Sequence, residues 1–113
     1  MAKFEIKDGI AIIPEGTGEI PNNAFFGCSS LTTVIIPESV TSIKGHAFYG
    51  CSSLEIVHLP AGVSNFEIDS FKDCPNLKAI YVPEDKVEYY KEHFPADMYW
   101  LIVEEGADLP DKA

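Results

Sequence analysis

Hydrophobic positions recur along this chain with a period of 23 residues. Four columns show the period: Phe25/Phe48/Phe71, Cys28/Cys51/Cys74, Leu31/Leu54/Leu77 and Pro14/Pro37/Pro60/Pro83. A fixed period of this length is typical of a solenoid, in which each repeat is one coil that buries its apolar side only against its neighbours. The pattern therefore predicts the architecture and leaves the function open.

Each leucine of the pattern begins a run rich in β-branched residues that ends at a proline, over 31–37, 54–60 and 77–83. Such runs favour β-strands, and proline cannot continue a strand ladder. Strand alternation predicts one inward set: Leu31, Val34, Ile36, Leu54, Val57, Leu59, Leu77, Ile80 and Val82. The outward set forms two columns, Ile12/Ile35/His58/Tyr81 and Ile10/Thr33/Ile56/Ala79.

A short Ala-Phe-x-Gly segment precedes the first two cysteines. We interpret it as a helical turn that ends at Gly27 and Gly50, where the backbone needs a positive φ. The third copy has Asp73 at this position, and aspartate is among the better substitutes there. The repeat thus predicts one strand and one helical turn per coil.

The chain ends differ from the repeats and predict caps, which a solenoid needs over its terminal coils. Asp8-Gly9 between two apolar runs predicts a hairpin, and its second strand, 10–14, is in register with 33–37. Near the other end, Asp85 and Glu88 have the spacing of a capping box. They predict a helix that buries Val87, Tyr90 and Phe94 and stops at Pro95.

These elements give one domain over 1–103. Its parts are an N-terminal cap (1–16), the repeats (17–83) and a C-terminal cap (84–103), in which 99–103 forms a last strand or packed segment. Residues 104–113 are acidic and poor in apolar residues, so we expect a disordered tail.

The repeat resembles the BspA-like branch of the leucine-rich repeat family. The motif Ala-Phe-x-x-Cys-x-x-Leu, a β-run ending in Ile-Pro and a Val-x-x-Ile element are matched from Ala24 to Ile43 and from Ala47 to Phe66. The third copy departs from it at Ser70 and Phe66. The resemblance implies an α/β repeat solenoid whose coils wind right-handedly, with a parallel sheet on one face and short helical turns on the other. It also implies adhesion to host or cell-surface proteins.

The charge of the chain limits the classes of molecule that it is expected to bind. The chain has 18 acidic and 8 basic residues, a net charge of −10, and every basic residue is lysine. Nucleic acids and anionic membranes are disfavoured, because cationic side chains supply most of the affinity for both. No apolar stretch has the length of about 18 residues that membrane insertion needs.

The first residues lack a signal peptide, which predicts a cytoplasmic protein if Met1 is the native start. The resemblance instead implies a secreted or surface protein.

The cysteines and histidines form no recognisable chemical motif. Stacked coils keep equivalent Cα atoms about 4.8 Å apart, within disulfide range, but their side chains point the same way. Three sulfur atoms in a line also make a poor tetrahedral metal site. We therefore expect small buried hydrophobic thiols, no metal, no cofactor, no catalytic residue and no enzyme activity.

The outward-facing residues of the predicted strands suggest a function in binding. A solvent-facing sheet usually carries more polar residues than Ile12, Ile35, His58, Tyr81, Thr33 and Ile56 provide. Exposed apolar patches often indicate an interaction site, so we expect a non-enzymatic module that binds a protein through these residues. The alternatives are a structural spacer, self-association through the same residues, or coverage of this stripe by residues 97–103.

Overall fold

The computed structural model describes residues 4–110. Within them the chain forms nine short strands: β1 (Glu5–Lys7), β2 (Ile10–Ile12), β3 (Glu19–Ile20), β4 (Thr33–Ile35), β5 (Ser42–Ile43), β6 (Ile56–His58), β7 (Asn65–Phe66), β8 (Ala79–Val82) and β9 (Ile102–Glu104). The helix α1 spans Val87–Lys91, and 3₁₀ helices span Ile68–Phe71, Glu84–Lys86 and Ala96–Leu101.

The main sheet has six strands in the order β1-β2-β4-β6-β8-β9. Strands β1 and β2 form the antiparallel hairpin expected around Asp8-Gly9, and the remaining neighbours are parallel. Thr33 pairs with Ile56, and Ile56 pairs with Ala79, so the sheet register equals the sequence period. The parallel sheet that the family resemblance implies is therefore confirmed.

A second, three-stranded sheet, β3-β5-β7, runs along another side of the coils. Its strands have two residues each and pair in parallel with the same 23-residue register, as in Ile20 with Ile43. Sequence reasoning did not predict this sheet, because two residues are too few for an alternating pattern to be recognised.

The core lies between the sheets and the turns. All nine residues predicted to point inward from the strands are buried. The rings of Phe25, Phe48 and Phe71 form a nearly parallel stack with centroid distances of 5.1 and 4.9 Å. Phe4 adds a ring 5.6 Å from Phe25, and Phe94 lies 6.2 Å from Phe71. The stack therefore runs through the coils and is closed by the terminal elements.

Backbone hydrogen bonds between successive turns hold the coils in register. The Phe25 N–H donates to the Ala47 carbonyl at 2.7 Å, and the Phe48 N–H donates to the Ser70 carbonyl at 2.8 Å. Gly27 and Gly50 have φ values of 66° and 73°, and Asp73 takes the same conformation with φ 59°. The interpretation of Asp73 as a substitute for glycine is confirmed.

The thiols also bond to neighbouring turns. The Cys51 thiol donates to the Phe25 carbonyl and the Cys74 thiol to the Phe48 carbonyl, each at 3.1 Å. All three cysteines are free thiols. Cys51 is buried as expected, whereas Cys28 and Cys74 are only partly buried, so the expectation of a buried thiol was wrong for these two.

The expected capping box is absent. Asp85 lies inside the 3₁₀ helix Glu84–Lys86, and neither this helix nor α1 has a side-chain cap. The chain already turns at Pro83, whose carbonyl accepts the Lys86 N–H at 2.9 Å, so Asp85 does not occupy a cap position. Tyr90 and Phe94 are buried as predicted. Helix α1 ends at Lys91, before Pro95, which precedes the next 3₁₀ helix.

The segment after α1 returns to the main sheet. Strand β9 pairs in parallel with β8, with Tyr81 opposite Val103 and Val82 opposite Glu104. The prediction of a disordered tail from residue 104 was wrong for its first residues. Glu104 belongs to β9, and residues 105 and 107 form hydrogen bonds with the sheet. Residues 111–113, for which disorder was also expected, lie outside the described part of the chain.

Candidate protein-binding surface

The outward side chains of the main sheet form what we call the sheet face: Ile10, Ile12, Thr33, Ile35, Ile56, His58 and Tyr81. They come together because the parallel strands repeat every 23 residues, which places Ile35 beside His58 and His58 beside Tyr81. Ile10 lies beside Thr33 in the neighbouring column. The structure thus brings all six sequence-predicted residues onto one surface, together with Ile10.

The half of the sheet face that lies on β2 and β4 is open and apolar. Ile10, Ile12 and Ile35 are 41%, 45% and 54% exposed. Their aliphatic side chains offer no hydrogen-bonding groups, so only apolar contact with another molecule or more chain would remove them from water. Within residues 4–110, these three account for half of the large hydrophobic residues that are exposed.

The half that lies on β6 and β8 is aromatic and partly covered. The His58 and Tyr81 rings stack with centroids 5.1 Å apart and an interplanar angle of 21°. The His58 Nδ1 lies 2.8 Å from Glu105 Oε2, and the Tyr81 hydroxyl donates to the Ala107 carbonyl at 3.1 Å. Residues 105–107 cover this half of the sheet face. The alternative from the sequence, in which residues 97–103 cover it, was wrong.

The second column is less exposed than alternation predicts. Thr33 and Ile56 are partly buried, and Ala79 is fully buried. A single methyl group projects less than Ile56 and Tyr81 beside it, so Ala79 adds no accessible area. The accessible part of the sheet face is therefore centred on Ile10, Ile12 and Ile35.

An aromatic cluster on the turns was not singled out from the sequence. Phe26, which is 54% exposed, stacks on Tyr49 with centroids 5.2 Å apart. His46 meets both rings edge-on and pairs with Asp69, Nε2 to Oδ2 at 3.1 Å. A hydrogen bond to Asp73 raises the pKa of Tyr49. The sequence contained a pattern that could have identified this cluster, because Phe26 and Tyr49 are 23 residues apart and so repeat with the period of the coils.

An open groove of about 910 Å³ lies between the third turn and the 3₁₀ helix Ala96–Leu101. Its lining includes Phe71, Leu77, Met98 and the Cys74 thiol. The neighbouring Cys74 thiol, together with burial, raises the pKa of the Cys51 thiol. Within residues 4–110, no three His, Cys, Asp or Glu side chains are grouped as a metal site would require.

Helices long and apolar enough to cross a bilayer do not occur between residues 4 and 110. No curated protein matches the chain. Among solved structures, the chain is similar to a leucine-rich cell surface protein from Faecalibacterium prausnitzii A2-165, with 33% identity and a TM-score of 0.60. The match covers 64% of this chain and 19% of that protein, so this chain spans about a fifth of its length.

The family comparison covers most of the chain. The family model described as the BspA type leucine rich repeat region (6 copies) matches residues 7–98. Leucine-rich repeat proteins commonly mediate protein–protein interactions and are generally binding modules without enzyme activity. The matched span includes the three repeated turns and β2 to β8, and the chain belongs to the BspA-type leucine-rich repeat family.

Proposed function

We propose that the chain is a non-enzymatic module that binds a protein through the open half of the sheet face. One observation carries the proposal: Ile10, Ile12 and Ile35 form an exposed apolar surface on a sheet whose opposite side is the core. Adjacent exposed aliphatic side chains leave water favourably only when another surface covers them. A protein partner supplies such an apolar surface, together with polar groups that can pair with the backbone at the edges of the strands.

The proposed partner is a host or cell-surface protein, and the module acts in adhesion. The family commonly mediates protein contacts, and the similar solved structure is a cell surface protein. This chain spans about a fifth of that protein, and we propose adhesion for it on the basis of this similarity. No nucleic acid is proposed, because the net charge is −10.

The area available suits one partner. An interface of standard size takes about 800 Å² from each side. The chain has an accessible surface of 6221 Å², so such an interface occupies about one eighth of it. That share requires most of the open half, including Thr33 on β4, and residues beside it such as Ile56 on β6.

The ends of the chain act as caps in this proposal. Phe4 of the hairpin segment stacks on Phe25, and Phe94 after α1 packs against Phe66 and Phe71. Apolar coil ends left uncovered would invite further stacking. The caps therefore direct binding to the sheet face instead of the coil ends.

The test is the retention of protein-coated beads on cultured epithelial cells, with equal protein density on each bead. Replacing Ile12 and Ile35 together by serine removes the centre of the open half. We expect retention to fall by about fivefold or more, because truncating a binding hot spot costs more than about 1 kcal/mol.

The matched control is Phe26→Ser, which removes an equally exposed hydrophobic side chain from the turns. It should bind like the wild type. Equal retention of the wild type and the Ile12/Ile35 variant would contradict the proposed surface, and retention no better than that of bare beads would contradict adhesion to these cells.

A further inference from the structure

Residues 105–107, which we call the strap, fold back onto the sheet after β9. The Glu105 N–H donates to the Val82 carbonyl at 2.9 Å, which continues the pairing of β9 with β8 by one residue. Gly106 then has a φ of 89°, and the Ala107 N–H returns to the Glu104 carbonyl at 3.1 Å. This tight turn directs the strap toward the sheet face.

Two side chains of the sheet face hold the strap. His58 Nδ1 contacts both carboxylate oxygens of Glu105, at 2.8 and 3.2 Å. The Tyr81 hydroxyl donates to the Ala107 carbonyl at 3.1 Å. Since His58 and Tyr81 also stack on each other, one pair of rings binds both ends of the strap.

These contacts are specific but weak. The His58 and Glu105 side chains are 31% and 47% exposed, so water competes for this contact and it contributes little to stability. Glu105, Gly106 and Ala107 contribute no large apolar side chain, so little hydrophobic burial holds the strap in place. A segment held in this way opens locally at low cost in free energy.

We propose that the strap is an intramolecular mask on the sheet face, which opens to present His58 and Tyr81 to the partner. Opening extends the accessible column from Ile12 and Ile35 across the two rings. A partner that binds the whole column competes with the strap, so the strap sets a threshold for binding. This inference rests on the proposed function of the sheet face.

The test needs no partner. The rate at which diethyl pyrocarbonate modifies each histidine at neutral pH is measured by mass spectrometry, with His46 and His93 as internal references. Tyr81→Phe removes the hydroxyl that holds Ala107 and changes no charge near His58. We expect the His58 rate to rise by about threefold relative to the references, which corresponds to the loss of one ordinary hydrogen bond.

Glu105→Ala and Glu104→Ala form a matched pair. Each removes one carboxylate, but only Glu105 contacts His58. Glu105→Ala should accelerate modification of His58, and Glu104→Ala should not. An increase with Glu105→Ala but none with Tyr81→Phe would reflect the altered imidazole alone and would overturn the strap, as would unchanged rates in both.

Failure of this test is distinguishable from failure of the proposed function. Histidine modification reports on the strap whether or not any partner exists. Bead retention by the Ile12/Ile35 variant reports on the open half, which lies on β2 and β4, whereas the hydrogen bonds of the strap are made to His58 and Tyr81 on β6 and β8.

Discussion

At the scale of single residues, adjacent phenylalanines of the first turn have opposite environments. Phe25 is 1% exposed and stacks between Phe4 and Phe48, whereas Phe26 is 54% exposed. The period separates them in the third turn, where Phe71 continues the column of Phe25 and Lys72 takes the position of Phe26.

Phe48→Ala tests the core position. The ring is fully buried between Phe25 and Phe71, so its removal leaves a cavity and should lower the free energy of unfolding by about 3–5 kcal/mol. Phe26→Ala is the control from the equivalent turn and should cost less than about 1 kcal/mol. Equal losses in urea unfolding of the two variants would contradict the assignment of Phe48 to the core.

At the scale of elements, local patterns predicted the coils well. The β-branched runs became β4, β6 and β8, and Asp8-Gly9 formed the hairpin, because each depends on residues close in sequence. The C-terminal helix was placed less well: Pro83 starts a 3₁₀ turn, and α1 has five residues. Packing of Tyr90 and Phe94, and not a capping box, fixes this element.

Tyr90 attaches α1 to the coils, since its buried hydroxyl donates to the Pro60 carbonyl. Burial raises the pKa of Tyr90 above its ordinary value of 10.0. Its contribution to stability is therefore complete below pH 10, and it declines above that pH because the unfolded tyrosine ionises while the folded one stays neutral.

Tyr90→Phe should consequently cost about 1 kcal/mol at neutral pH through the lost hydrogen bond. Between about pH 9 and about pH 11, the wild type should lose about 1 kcal/mol more stability than the variant. Thermal unfolding across this pH range measures both effects. Parallel pH profiles of the two proteins would contradict the role given to the hydroxyl.

At the scale of the whole molecule, sequence reasoning predicted the sheet face but not its division into two halves. Strand alternation was enough to place Ile12, Ile35, His58 and Tyr81 in one column. The covered half depends on Glu105, which lies 47 residues from His58 in sequence. An acidic segment with few apolar residues gives no local signal for such a contact, so its composition predicted only disorder.

The central claim is that Ile12 and Ile35 form an open surface, and the most direct measurement compares the wild type with the double variant carrying Ile12→Ser and Ile35→Ser. Sedimentation gives the mass, and urea unfolding gives the stability. We predict that the variant is a folded monomer whose free energy of unfolding falls by less than about 2 kcal/mol, because about half of each isoleucine is already exposed and the rest of the cost is partial burial and strand preference. A loss of about 4 kcal/mol or more in the variant, as for two fully buried isoleucines, would show that the chain itself covers this surface and would contradict the account.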